Sequence, residues 1–174
     1  MSKPYLGSRE KELVNEVLYS GILSIGPKIE EFEKKFAELI GTKYACGVNN
    51  GTAGLHLAML AAGISEGDEV VTSPFSFIAS ANSIVYVGAK PVFVDIDKNT
   101  YNIDPTKIEA VITSKTKAIL VVHIFGQAAD MDPIMNIAKK HNLLIIEDAC
   151  ESVCANYKGK TVGTFGQSSV FAFY

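Results

Sequence analysis

Two uninterrupted apolar runs in the second half of the sequence constrain the fold more than any other feature. The runs are AILVVHI (Ala118–Ile124) and LLII (Leu143–Ile146), and neither alternates between apolar and polar side chains. A strand of this kind is buried on both faces, as happens in a parallel sheet that helices cover on both sides. The sequence is therefore expected to fold as an α/β protein with a mostly parallel sheet.

The rest of the chain alternates between short β-rich runs and helical patterns. Strands are predicted at Tyr44–Val48, Glu69–Thr72, Pro91–Asp95, Ala118–Ile124, Leu143–Ile146 and Ser169–Phe173. Helices are predicted at about 8–19, 27–40, 52–62, 77–86, 105–113 and 133–141. Strands that alternate with helices imply right-handed crossovers, which place the helices on both faces of the sheet.

Composition excludes several classes of protein. Sixteen Lys and Arg against nineteen Asp and Glu give a net charge of -3, which disfavours a nucleic-acid partner. No apolar run reaches the roughly 18 residues of a membrane-spanning helix, and the N-terminus lacks the apolar stretch of a signal peptide. We therefore expect a cytoplasmic protein with no membrane partner. Three cysteines and scattered histidines favour neither a disulfide scaffold nor a metal site.

Three segments follow predicted strands, where open α/β sheets bind their ligands. Asn49–Gly54 opens a helix, so its backbone amides could bind an anion or simply form a well-capped turn. The loop at Ser73–Phe77 ends in an aromatic ring that could stack on a flat ligand or belong to the core. Glu147 and Asp148 end the LLII strand, where a carboxylate could bind Mg²⁺ or pair with a protonated ring nitrogen.

The combination of these segments narrows the choice of ligand. The sequence contains neither G-x-x-x-x-G-K-[ST] nor G-x-G-x-x-G, so nucleoside-triphosphate and dinucleotide sites are set aside. An anion cradle, an aromatic platform and a buried carboxylate suit a phosphorylated, protonated heteroaromatic cofactor. Pyridoxal 5′-phosphate (PLP) has this chemistry.

Six segments, in order, resemble the DegT/DnrJ/EryC1/StrS family. They are NNGTAGLHLAM, GDEVVTSPFSFIASANSIVYVGAKPVFVDID, TYNIDP, HIFGQAADMDPI, LLIIEDACES and VGTFGQSSVFAFY, and the resemblance runs from Ser20 to Tyr174. Family members are mostly PLP-dependent aminotransferases that act on nucleotide-linked keto sugars. The resemblance implies the large domain of the aspartate-aminotransferase fold (PLP fold type I), usually in a homodimer with active sites shared across the interface.

The resemblance also implies which residues contact the cofactor ring. Asp148 would pair with the pyridine nitrogen and keep it protonated. Phe77 would stack on one face of the ring, and Cys150 would pack against the other. Glu151 stands where many members have Gln or His to bind the 3′-oxygen of the cofactor, as in the perosamine-synthase-like branch.

The phosphate contacts follow from the same resemblance. Thr52, together with the amides around Gly51 and Ala53, would hold the phosphate group. Ala172 stands where many members have a serine that touches the phosphate, so one contact is expected to be missing.

The end of the sequence suggests a piece of a longer protein. The chain stops at Tyr174, directly after an apolar strand, and the family's Schiff-base lysine follows this strand by a few residues. We therefore expect residues 1–174 to be a truncated PLP-binding large domain that starts with N-terminal helices at about 1–41 and lacks the C-terminal small domain. The full enzyme would transfer an amino group from an amino acid, glutamate in the family, to a nucleotide-linked keto sugar. The isolated chain would be inactive.

Two alternatives stay open at this point. One is a sugar dehydratase of the same family, in which histidine replaces the Schiff-base lysine. The other is a non-catalytic remnant that serves as an interaction or regulatory module.

Overall fold

The computed structural model describes residues 4–173 and contains a five-stranded parallel sheet. The strands along the chain are β1 (Glu69–Thr72), β2 (Lys90–Phe93), β3 (Thr116–Val122), β4 (Leu144–Asp148), β5 (Asn156–Tyr157), β6 (Lys160–Thr161) and β7 (Ser168–Val170). The large sheet has the order β2-β1-β3-β4-β7, with every neighbouring pair parallel. Strands β5 and β6 form a separate antiparallel hairpin. The expected mostly parallel sheet is confirmed.

The helices lie close to their predicted positions. They are α1 (Ser8–Ser20), α2 (Pro27–Ile40), α3 (Gly51–Ala61), α4 (Ala79–Tyr86), α5 (Pro105–Ile108) and α6 (Met131–His141). Helix α5 is shorter than the predicted 105–113 because the chain continues as a 3₁₀ turn at Glu109–Val111. Within residues 4–173, no helix has both the length and the apolar character required to cross a membrane.

Successive side chains of the central strands enter two different apolar layers. One layer combines Val70, Leu120 and Ile146 with residues of α3 and α4, and the other combines Val71, Ile119 and Ile145 with residues of α5 and α6. Neighbouring residues of a strand point to opposite faces of the sheet. Helices cover both faces of the sheet, which explains why apolar and polar side chains do not alternate in β3 and β4.

The prediction of a strand at Tyr44–Val48 is wrong. This segment pairs with no strand among the described residues and instead lies along α2. The Gly47 amide donates to Glu33 Oε1 at 2.7 Å, and a Cβ added to Gly47 would lie 2.5 Å from Ile29 Cδ1. Side chains of α2 therefore engage the backbone that a sheet partner would need, which β-propensity alone does not reveal.

A buried hydrogen bond between His123 and Glu147 connects β4 to the end of β3. Glu147 Oε2 lies 3.1 Å from His123 Nε2, and neither side chain is exposed. His123 Nδ1 accepts a hydrogen bond from the Ala129 amide at 3.0 Å. Since Nδ1 is an acceptor, Nε2 carries the proton and donates it to the carboxylate. His123 thus has a structural role.

The same carboxylate positions the turn that leads into β7. Glu147 accepts three backbone hydrogen bonds, from the amides of Gly163, Phe165 and Gly166, at 2.7, 2.7 and 2.8 Å. A Cβ added to Gly166 would lie only 2.4 Å from the Ile145 carbonyl oxygen, so this turn approaches β4 too closely for a side chain. Glu147 therefore holds β7 in register beside β4.

We predict that Glu147→Gln destabilises the protein by about 3 kcal/mol, since an amide NH₂ would face donors at one end of the side chain. Urea denaturation measures the free energy of unfolding. Glu38→Gln is the matched control, because Glu38 is exposed on α2, and its effect should stay within about 0.5 kcal/mol. Equal effects of the two substitutions would contradict the assigned role of Glu147.

The stability of the fold should also depend on pH through Glu147. Burial opposes ionisation, but the hydrogen bonds from His123 and from the Gly166 and Gly163 amides outweigh it and lower the pKa of Glu147 below its ordinary 4.5. A lowered pKa contributes stability above the unfolded-state pKa, and this stability is lost as the pH falls through the folded-state pKa. Over a pH range that begins at neutral and extends below 4.5, the difference in unfolding free energy between wild type and Glu147→Gln should therefore stay constant at first and shrink once the pH falls below 4.5. A difference that is constant over this range would contradict the account.

Candidate functional site

Asp148 ends β4 at the carboxyl edge of the sheet and is only 5% exposed. Its Oδ2 accepts a hydrogen bond from Ser80 Oγ at 2.6 Å, and its Oδ1 accepts a longer one from the Cys150 amide at 3.3 Å. Asp148 takes part in none of the ion pairs formed by residues 4–173. Burying a carboxylate without a cation is costly. The site therefore favours a positively charged ligand group at Asp148.

The beginning of α3 lies directly beside the segment that follows Asp148. A Cβ added to Gly51 would lie 2.9 Å from Cys150 Sγ and 3.3 Å from the Cβ of Ala172. The structure thus brings together three segments that are distant in sequence, and glycine allows the helix terminus to approach this closely. Burial, followed by the nearby charge of Asp148, raises the pKa of the Cys150 thiol, so Cys150 packs here as a neutral group.

Asn50 caps α3 and uses one of the amides that the sequence analysis expected to bind phosphate. Asn50 Oδ1 accepts from the Ala53 amide at 2.8 Å, and its carbonyl accepts from the Gly54 amide at 3.1 Å. The amides of Gly51 and Thr52 lie in the first helical turn, where the helix itself provides no acceptor. The donors left for an anion are therefore those of Gly51 and Thr52, and Ala53 could contribute only by sharing its amide.

The loop between β1 and α4 presents Phe77 at the surface rather than in the core. The Phe77 residue is 73% exposed, which leaves its ring free to stack on a ligand. Its carbonyl accepts from the Ser80 amide at 3.1 Å, and the neighbouring Ser76 Oγ lies 2.7 Å from Ser80 Oγ. Because Ser80 also binds Asp148, the loop carrying Phe77 is connected to the buried carboxylate.

Glu151 bridges the segments that follow β3 and β4. Its Oε2 accepts a hydrogen bond from the Phe125 amide at 2.9 Å. Phe125 has a left-handed backbone with a φ of 55° and is 70% exposed. Glu151 is exposed, so its second oxygen can still contact a ligand.

Sequence reasoning missed Ser80 and Phe125 as neighbours of the site. A serine at the start of a predicted helix is an available signal, because Ser76 and Ser80 are one helical turn apart. Its contact with Asp148 spans 68 positions in the chain, and no local pattern encodes a separation of that length.

Comparison with known proteins agrees with the resemblance. A family model described as the DegT/DnrJ/EryC1/StrS aminotransferase family matches residues 4–174. The GDP-perosamine synthase of Caulobacter vibrioides is 50% identical over 175 residues, which cover 100% of this chain and 47% of the relative. The spore coat polysaccharide biosynthesis protein SpsC of Bacillus subtilis is 50% identical, with 99% of this chain and 44% of the relative covered.

Solved structures show the same architecture. An aminotransferase from Psychrobacter cryohalolentis superposes with a TM-score of 0.94 at 43% identity, covering 98% of this chain and 44% of that protein. PseC from Helicobacter pylori, an aminotransferase involved in the biosynthesis of pseudoaminic acid, gives 0.92 at 34% identity, covering 99% and 47%. The predicted fold class, the large domain of an aspartate-aminotransferase-like protein, is confirmed. The chain spans slightly less than half the length of these relatives. On a family match that extends over nearly all of its residues, the chain belongs to the DegT/DnrJ/EryC1/StrS aminotransferase family.

Proposed function

We propose that the protein containing this chain is a PLP-dependent sugar aminotransferase and that residues 51–53, 77, 148 and 151 bind its cofactor. The reaction would move an amino group from an amino acid, most simply glutamate, to a nucleotide-linked keto sugar. The names of the relatives support this substrate class, since two of them are GDP-perosamine synthases at 50% and 51% identity. The single observation that carries the cofactor assignment is the buried Asp148 carboxylate, which has no cationic partner among residues 4–173.

The chemistry of the donor set fits PLP better than a metal ion. A metal ion needs several ligands, and no group of three His, Cys, Asp or Glu side chains suitable for one occurs in the described part of the chain. A protonated pyridine nitrogen needs one carboxylate, which Asp148 supplies. An attached phosphate needs backbone donors at a helix terminus, which Gly51 and Thr52 supply.

When bound, PLP withdraws electrons from the substrate carbon through its protonated ring. Asp148 would hold the proton at the ring nitrogen, and Phe77 would cover one face of the ring and exclude water. Cys150, a neutral group beside Gly51, would limit the space on the other side. Glu151, with one oxygen bound to the Phe125 amide, would present its other oxygen towards the 3′-oxygen of the cofactor.

A covalent enzyme–cofactor link needs an amine, and we propose that it comes from outside residues 4–173. A lysine that supplies this amine must reach the aldehyde carbon of the cofactor, and the chain spans slightly less than half the length of its relatives, so the rest of the protein has room to supply it. The chain by itself is therefore proposed to be inactive, with a lysine beyond Tyr174 completing the site.

We also propose that the active protein is a homodimer in the cytoplasm. Large apolar side chains are exposed near the site and on the N-terminal helices, including Phe77, Phe125 and Leu18 at 73%, 70% and 57%. Such side chains are typical of surfaces that associate. The free thiols of Cys46, Cys150 and Cys154 suit a reducing compartment.

Asp148→Asn should lower transamination by the full-length protein at least about 100-fold, because an amide cannot stabilise a protonated ring nitrogen by charge. The melting temperature should stay within a few degrees, since the change removes a buried charge without changing the side-chain size. The measurement is amino transfer from glutamate to a nucleotide-linked keto sugar. Asp95→Asn, an exposed position after β2, is the matched control. Near-normal activity of Asp148→Asn would rule out the proposed role.

Thr52→Val should weaken binding of pyridoxamine 5′-phosphate about tenfold, because it removes a hydroxyl donor to the phosphate while conserving volume. Pyridoxamine without the phosphate should bind wild type and Thr52→Val equally well. Thr52→Ser, which keeps the hydroxyl, serves as the control in isothermal titration calorimetry. The same loss for both ligands would place the effect somewhere other than the phosphate.

A further inference from the structure

We propose that Ser80 is a positioning residue that sets the Asp148 carboxylate and the Phe77 loop as one unit. This inference rests on the proposed function, because it concerns how the same site receives the cofactor ring. Asp148 would meet the edge of that ring and Phe77 its face. A single buried serine connects the two.

The direction of the hydrogen bonds follows from the chemistry of the groups. An ionised carboxylate can only accept, so Ser80 Oγ donates its one proton to Asp148 Oδ2 at 2.6 Å. Ser80 Oγ must then accept in its contact with Ser76 Oγ at 2.7 Å. The result is a series of two hydrogen bonds in which Ser76 donates to Ser80 and Ser80 donates to Asp148. Its last bond is charge-assisted and short, the stronger class of hydrogen bond.

Ser80, the middle member of this series of hydrogen bonds, is held rigidly. Ser80 is 1% exposed and lies in the first turn of α4, where its amide donates to the Phe77 carbonyl at 3.1 Å. A side chain on a buried helix is fixed more accurately than one on a loop. Since Ser80 engages Oδ2, the less engaged oxygen of Asp148 is Oδ1, whose bond to the Cys150 amide is 3.3 Å.

The same serine also controls the aromatic loop. Ser76 is half-buried and directly precedes Phe77, so its bond to Ser80 fixes the backbone from which the exposed ring projects. Loss of the Ser80 hydroxyl would therefore free both the carboxylate and the ring-stacking loop. Loss of the Ser83 hydroxyl, on the same helix and equally buried, would free neither.

The test uses pyridoxamine 5′-phosphate as the probe, because its amine cannot condense with a lysine and its affinity reports the non-covalent contacts. In the full-length protein, Ser80→Ala should raise the Kd about tenfold, whereas Ser83→Ala should change it less than about twofold. Ser76→Ala, which removes the half-buried outer member of the hydrogen-bond series, should raise the Kd about threefold. The circular dichroism band of the bound ring should weaken in Ser80→Ala and persist in Ser83→Ala.

A double-mutant cycle separates positioning from a general structural effect. If Ser80 acts through Asp148 as well as through the Phe77 loop, Ser80→Ala should raise the Kd only about threefold in an Asp148→Ala background, which is the share that the loop contributes. A loss that is equally large in both backgrounds, or equal losses for Ser80→Ala and Ser83→Ala, would overturn the inference. If Ser80→Ala does not fold, the same cycle with Ser76→Ala decides. Failure of the proposed function gives a different result, an unchanged Kd for Asp148→Ala alone.

Discussion

The contrast between two adjacent carboxylates at the end of β4 underlies both the fold and the site. Glu147 receives four hydrogen bonds, three from backbone amides and one from His123, and these stabilise its charge within the structure. Asp148 receives one strong bond from Ser80 and one long bond from Cys150. Successive residues of a strand face opposite sides of the sheet, so the two anions have separate surroundings. One stabilises the protein, and the other is left with capacity for a ligand.

The stabilising carboxylate prepares the place for the ligand-binding one. Glu147 holds the turn before β7, and β7 leads to Ala172, which lies beside Gly51 at the start of α3. The helix terminus proposed to hold phosphate and the carboxylate proposed to hold the ring nitrogen are thereby brought to one edge of the sheet. A spacing that is fixed before the ligand arrives lowers the entropic cost of binding both of its ends at once.

The sequence predicted the parts of the fold that local patterns determine. The unalternated runs predicted β3 and β4 as buried strands, and the helical pattern at 27–40 predicted α2 with the bounds that the structure shows. The wrong strand prediction at Tyr44–Val48 and the unpredicted contact between Ser80 and Asp148 have the same cause. Each depends on a tertiary partner, Glu33 in one case and Ser80 in the other, that lies far along the chain. Asn50 and Ala53 are only three residues apart, but the sequence does not show whether the Ala53 amide donates to the Asn50 side chain or to an anion. The three-dimensional structure shows that it donates to Asn50.

The proposed cofactor site depends on Asp148 keeping a ring nitrogen protonated, and ¹⁵N nuclear magnetic resonance tests this directly. The measurement is the ring-nitrogen chemical shift of ¹⁵N-labelled pyridoxamine 5′-phosphate bound to the full-length protein, in wild type and in Asp148→Ala. We predict a protonated nitrogen in wild type up to at least about pH 8, and a neutral one in the variant. A neutral ring nitrogen in bound wild type at that pH would contradict the account.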